Sequence, residues 1–199
     1  LKSDKWEEDI KVLESLDRQE TCGNDCILFL GSSSIRLWNE IKSDMSPFNV
    51  VARGYGGAHF YDIIHYTKRL VKNHNPKAIV VFVANDITGS NNNSWYGDLR
   101  PKEVLKLFKF FTKQVYSAHA DIPIFVIETT PTISRWKVWN KISAANDLIK
   151  NYTEKEDNLS YITTRFDFLD NEGNPVEKYF KGDKLHLNKS GYKLWSKII

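Results

Sequence analysis

The sequence predicts an α/β fold: a three-layer α/β/α sandwich around a mainly five-stranded parallel sheet. Two observations carry this expectation. Four short apolar runs recur along the chain, Ile27-Leu28-Phe29-Leu30, Val50-Val51-Ala52, Ala78-Ile79-Val80-Val81-Phe82-Val83 and Ile124-Phe125-Val126-Ile127, each followed by small or polar residues. Continuous, β-branched-rich runs of this length suit strands buried on both faces, as in a parallel sheet. Between the runs lie segments of helical period, and strand–helix alternation places helices on both faces of one sheet. Tyr161-Ile162 is a weaker fifth strand candidate.

Taken in order, the helical segments begin with an amphipathic leader at 6–16. Ile63, Ile64, Leu70 and Val71 mark a second helix, stopped near Asn75-Pro76. Val104, Leu107, Phe108, Phe111 and Val115 fall on one stripe, with Lys102, Lys106, Lys109 and Lys113 largely elsewhere. Pro101 suits the first turn of that helix. Further helices are expected over 135–152 and 190–199. No linker, repeat or low-complexity stretch divides the chain, so 1–199 reads as one domain, with the 1–20 leader packed on the core.

Composition narrows the function classes. The 199 residues are 41% hydrophobic and 13% aromatic, ample for a folded core. The net charge is +3, with Lys and Asp/Glu interspersed, which is not the footprint of a nucleic-acid binder. No apolar run approaches the roughly 20 residues of a membrane helix. Nothing at Leu1 resembles a signal peptide, and a chain starting there is expected to have been processed or excised. Cys22 and Cys26 flank a Gly-Asn-Asp turn. They read equally as a disulfide, which would suit a periplasmic or extracellular protein, and as two unrelated thiols. No His/Cys set stands at zinc-ligand spacing. The N-x-S/T triplets at Asn92, Asn151, Asn158 and Asn188 are short enough to arise by chance.

In open α/β sheets, ligands bind outside the carboxyl ends of the strands. The first strand ends in Gly31-Ser32-Ser33-Ser34, followed by Ile35-Arg36-Leu37-Trp38. Alone, this is a tight corner and a serine helix cap, and the G-x-S-x-G elbow is absent. The second strand ends in Arg53-Gly54-Tyr55-Gly56-Gly57-Ala58-His59, whose glycines permit positive φ and close backbone approach. Their spacing matches neither the dinucleotide nor the P-loop pattern. The third strand ends in Asn85-Asp86. Near the carboxyl terminus comes Asp183-Lys184-Leu185-His186, where an acid three residues before an imidazole can fix its tautomer.

In this order and at these strand ends, the four segments resemble the conserved blocks of the SGNH/GDSL hydrolases, in a variant common among bacterial members with Ser32 at the usual Asp. The similarity runs from about Ile27 to the end. It implies the flavodoxin-like SGNH hydrolase fold and a carboxylic ester hydrolase with a Ser-His-Asp triad. Ser33 is then the nucleophile, His186 the general base and Asp183 its orienting acid. The oxyanion hole would be formed by Ser33, Gly57 and Asn85, and the scheme requires no metal or organic cofactor. One departure is that Val83-Ala84 stand where the third block usually carries Gly before x-Asn-Asp.

His59, Trp38 and Arg53 are further candidates for substrate contact, with Tyr61, Trp95, Tyr96, Trp136 and Trp139 as aromatic neighbours. The polar segments 85–100 and 129–134 are expected to rim the pocket. A polar rim favours a carbohydrate or other small polar ester, with deacetylation as the reaction. The alternatives are a lysophospholipase- or thioesterase-like acyl hydrolase and a non-catalytic carbohydrate-binding domain of the same fold. A flavodoxin-like nucleotide binder would leave Asn85 and the Asp183–His186 pair without a role.

Overall fold

In the computed structural model, which describes residues 2–90 and 97–199, each apolar run is a strand. These are β1 (Cys26–Gly31), β2 (Asn49–Gly54), β3 (Ala78–Phe82), β4 (Ile124–Ile127) and β5 (Leu159–Ile162). They form one all-parallel sheet in the order β2-β1-β3-β4-β5. The sharpest consequence of the register is at the carboxyl ends. Gly31 stands level with Gly54 on one side and Phe82 on the other. The loops that follow β1, β2 and β3 therefore leave the sheet side by side.

Helices cover both faces. The leader α1 (Glu7–Leu16), α4 (Phe60–Val71), α5 (Pro101–Tyr116) and α6 (Trp139–Thr153) pack in series over one. That core is built on Leu28, Ile79, Val81, Phe60, Phe108 and Phe111. The other face carries the short α2 (Ser33–Arg36) and α3 (Ile41–Asp44), with α8 (Lys189–Ile198). Its core holds Phe29, Trp38, Phe82, Tyr192 and Trp195. A further one-turn helix, α7 (Arg165–Phe168), follows β5. Burying apolar area on both faces of the sheet is the dominant favourable term for such a fold.

The segment expected as a helix over 135–152 winds differently at its start. It is a 3₁₀ helix over Ile133–Val138 and becomes α-helical only at Trp139. The tighter winding accompanies an inward turn of Arg135, whose guanidinium reaches the loop after β3.

The leader is fastened by charge as well as by apolar packing. Arg69 of α4 bridges Glu7 at 2.8 Å and Glu14 at 2.7 Å. Arg53 of β2 pairs with Asp17 at 2.8 Å and donates to the Glu20 carbonyl at 2.7 Å. Arg53 is only 1% exposed. A buried guanidinium must be paired and hydrogen-bonded, and here its donors are spent on the leader and on the Ala52 carbonyl. This corrects the expectation that Arg53 contacts substrate.

Cys22 and Cys26 are joined in a disulfide. The small loop docks against the turn before β3, where Asn75 N donates to Cys22 O and Lys77 N to Cys26 O. Closing so short a loop removes little unfolded-state entropy, so reduction should lower stability by only about 2 kcal/mol. Urea titrations with and without reductant check this. A drop of twice that size, or none once both thiols are shown to be free, would contradict it.

Candidate active site

Ser33 opens α2 directly after β1. The strand's last carbonyl, Gly31 O, accepts from Tyr55 N at 3.1 Å, and Ser32 N donates to Phe82 O at 3.1 Å. Three strand ends are thereby cross-braced around the serine segment. Ser32 is buried, whereas Ser33 is part-exposed at the base of a pocket.

Asp183 and His186 lie in a turn between β5 and α8. Asp183 Oδ1 accepts the backbone N–H groups of Leu185 and His186, both at 2.9 Å. Lys184, directly after Asp183, has φ 57°, a left-handed conformation that a non-glycine residue adopts at some strain. The turn is held from outside by Ser134 N donating to Lys184 O and Lys181 N donating to His186 O. Its geometry brings Asp183 Oδ2 to 2.7 Å from His186 Nδ1. On the other side of the ring, Nε2 lies 2.9 Å from Ser33 Oγ. A carboxylate only accepts, so Nδ1 carries the proton and Nε2 accepts the Ser33 hydroxyl.

Burial pulls the Asp183 carboxyl upward, but the hydrogen bonds from the His186 ring and the two backbone N–H groups outweigh it. Its pKa is held at about 2. The carboxylate is therefore ionised throughout the range in which an imidazole titrates.

The loop after β3 brings Asn85 into the same pocket as Ser33 and His186. Asn85 Nδ2 donates to Ala58 O at 2.8 Å, which ties this loop to the one after β2. Gly57 lies in that neighbouring turn at φ 70° and does not line the pocket. A Cβ there would come within 3.3 Å of the Trp6 ring, so the leader packs on this turn. Asp86 is buried and accepts the Phe60 N–H at the start of α4. Desolvation raises its pKa to about 6, against the opposing pull of His59 and of that hydrogen bond.

The pocket encloses about 30 Å³. Its apolar wall is Phe82, Phe180, Leu187 and Trp195, and its polar wall includes Thr130, Thr132 and Arg135. Thr130 Oγ1 accepts from Trp195 Nε1 at 3.1 Å. Thr132 Oγ1 is buried with no hydrogen-bond partner among the described residues. Thr130 and Thr132 fall in the segment expected as a rim. Arg135, Phe180 and Trp195 were not legible as pocket residues, although the strand-end rule points to the loop after β4.

Two more expected substrate contacts are corrected. Trp38 is 2% exposed, stacks on Tyr192 at 5.2 Å and donates from Nε1 to Asp44. His59 is buried at the start of α4, where its backbone N–H and Nδ1 both face the Asp62 carboxylate. Neither lines the pocket. Tyr61 lies partly exposed on α4, and Trp136 and Trp139 stack on each other at 5.7 Å. Trp95, Tyr96 and Asn92 lie outside the described residues.

Comparison with known proteins bears on the fold. No family model and no curated protein matches the chain. Solved structures do. A GDSL-like lipase from Bacteroides thetaiotaomicron superposes with a TM-score of 0.77 at 16% identity, covering 95% of this chain and 94% of its own. The fold is the SGNH/GDSL hydrolase fold. A Bacteroides fragilis protein assigned as an acylhydrolase gives 0.79 at 18% identity, covering 94% and 92%. A carbohydrate esterase family 3 protein from Talaromyces cellulolyticus gives 0.62 at 14%, covering 87% and 93%. Within the SGNH/GDSL fold, the pocket lies at the carboxyl ends of the strands, where α/β sheets bind ligands. Among the described residues no helix is long and apolar enough to cross a membrane.

Proposed function

We propose that this protein is a serine esterase that removes a short acyl group, acetate, from a carbohydrate or other small polar ester. The observation that carries the reading is the continuous chain from Asp183 through both nitrogens of His186 to Ser33 Oγ. An incidental acid–histidine pair would not deliver its second nitrogen to a serine at a strand end.

In this mechanism Ser33 Oγ attacks the ester carbonyl as His186 Nε2 takes its proton. The resulting imidazolium is stabilised by the ionised Asp183 and then protonates the leaving alcohol. Water, deprotonated by His186 in turn, releases the acid and restores Ser33. The oxyanion is held by the Ser33 backbone N–H and the Asn85 amide, which share the pocket, whereas the Gly57 N–H expected as a third donor belongs to a turn outside the pocket lining.

The apolar wall of the pocket supports a small acyl group, since Phe82, Phe180, Leu187 and Trp195 line the same pocket as Ser33 and His186. The walls that limit it are large aromatic side chains already packed in the core, Phe82 against Trp195 at 4.7 Å between centroids. A lysophospholipase or long-chain thioesterase would need these walls to part. The likeness to a carbohydrate esterase and the polar residues at the pocket support a hydrophilic alcohol. A disulfide supports an oxidising, exported setting. A binding domain without catalysis has no need of the ordered acid–base–hydroxyl chain.

The test is a chain-length series of p-nitrophenyl esters together with an acetylated oligosaccharide. Forcing extra methylenes into a packed site costs about 1–3 kcal/mol, or roughly 5–150-fold in rate. Acetate should therefore exceed butyrate by at least about 5-fold, and octanoate should be nearly inert. Preference for octanoate would overturn the short-acyl assignment, and inertness towards every ester would overturn the esterase itself.

A further inference from the structure

The loop after β3 lacks the glycine that would let it turn freely before Asn85, reading Val83-Ala84-Asn85-Asp86. What holds it comes from the segment after the neighbouring strand β4. Arg135, in the 3₁₀ helix after β4, donates from Nη1 to Ala84 O and from Nη2 to Asn85 Oδ1, the latter at 2.8 Å. Its residue is 9% exposed, and it shares the pocket with Ser33, His186 and Asn85.

Two properties of this contact matter. A guanidinium has donors only, in a rigid planar fork. Bound to Asn85 Oδ1, it forbids the flipped amide, because that rotamer would set N–H₂ against N–H. The Nδ2 end is then committed to the side of Ala58 O, to which it donates at 2.8 Å. The fork also grips backbone and side chain of consecutive residues, so it fixes loop and amide together. Burial pulls the guanidinium pKa down to about 10, with Asp98 and Asp86 opposing, so the cation persists at neutral pH. Its charge lies behind the amide oxygen and polarises Nδ2 as a donor.

We propose that Arg135 is a positioning residue for the esterase, setting the orientation of the Asn85 amide through its two-pronged contact with Ala84 and Asn85. This rests on the reading of Asn85 as an oxyanion donor, and it supplies what the missing glycine does not. Arg135 itself need not touch the substrate.

A double-mutant cycle on p-nitrophenyl acetate tests it, with Arg135→Met, Asn85→Ala and the pair measured against wild type. Losing one oxyanion donor typically lowers turnover by about 10²–10³-fold. Arg135→Met should lose kcat by about 10²-fold with KM changed less than about threefold, and the pair should be no slower than Asn85→Ala. Arg135→Lys, which can reach only one acceptor, should recover part of the loss. If Arg135→Met does not fold, the comparison of Arg135→Lys with Asn85→Ala and their pair replaces it. Multiplying losses, a change confined to KM, or an Arg135→Met enzyme as fast as wild type would each overturn the proposal. These results leave the serine mechanism standing, whereas a wild-type protein inert on all esters removes both.

Discussion

Ser33→Ala is expected to abolish ester hydrolysis, lowering kcat/KM for p-nitrophenyl acetate by on the order of 10⁴–10⁶-fold in a protein that remains folded. The argument is one of bonding. Ser33 Oγ is the hydroxyl that His186 Nε2 meets, at 2.9 Å, and without it the activated imidazole has no nucleophile to deprotonate. Folding should hardly change, since a net hydrogen bond at a part-exposed site is worth about 1 kcal/mol. Kinetics paired with circular dichroism decide the matter. Undiminished activity in the variant would show that another group attacks the ester. The pH profile of the wild type adds a second check. Its acid limb should hold no contribution from the Asp183 carboxyl, which is held at about 2. For a carboxylate depressed in the folded state, the stabilising contribution is present above its unfolded pKa and lost only as pH falls towards 2. No activity limb of Asp183 should therefore appear in the assayable range.

The second large effect is on stability. Gly31→Ala should destabilise the protein by about 3 kcal/mol or more. A Cβ at Gly31 would lie 2.2 Å from the Phe82 carbonyl oxygen and 2.7 Å from Ile35 Cγ1. Neither neighbour can yield cheaply. Phe82 O already accepts from Ser32 N, and Ile35 is fully buried in the core beneath α2. Overpacking of this kind costs about 1–3 kcal/mol and occasionally more, with the unfavourable backbone conformation added. Relief requires β1 and β3 to part or the serine segment to shift, so the folded fraction should also lose activity. Gly173→Ala is the control: it too has positive φ, but nothing lies within 4 Å of its added Cβ, and its cost should be about 1–2 kcal/mol. Urea midpoints for the two variants test this, and equal shifts would mean that the contact at Gly31 is unimportant.

What could be read from the sequence divides along the range of the interactions. β1, β3 and β4 were plain because a strand buried on both faces writes an unbroken apolar run. β5 was faint because it is the sheet edge, with Ser160 exposed in its middle. The four-residue helices α2, α3 and α7 are too short to show a helical period. At the site, Asp183 and His186 could be paired because both belong to one turn, and glycines and serines at strand ends are visible as such. Arg135 was hidden in what looked like a helical stretch, and its inward direction is set by carbonyls 50 residues earlier in the chain. Trp38, Arg53 and His59 show the converse. They adjoin the motif segments in sequence, but alternation along β2 and the packing of α2 and α4 point them into the core.

The acid–base turn and the nucleophile are separated by 153 residues yet meet through one hydrogen bond. Apart from the Ser134 N–H on Lys184 O, what keeps the turn in place belongs to the last part of the chain: the Phe180–Leu187 bridge, Tyr192 OH bonded to Ser34 O, and Trp195 buried against Phe82. Segments of this kind open as cooperative units at free energies below that of global unfolding. Peeling of the carboxyl-terminal helix would carry Asp183 and His186 away together, still paired with each other, while the sheet stayed intact. Heat inactivation would then run ahead of the loss of secondary structure, and amide exchange in α8 would report the life of the enzyme better than its melting temperature does.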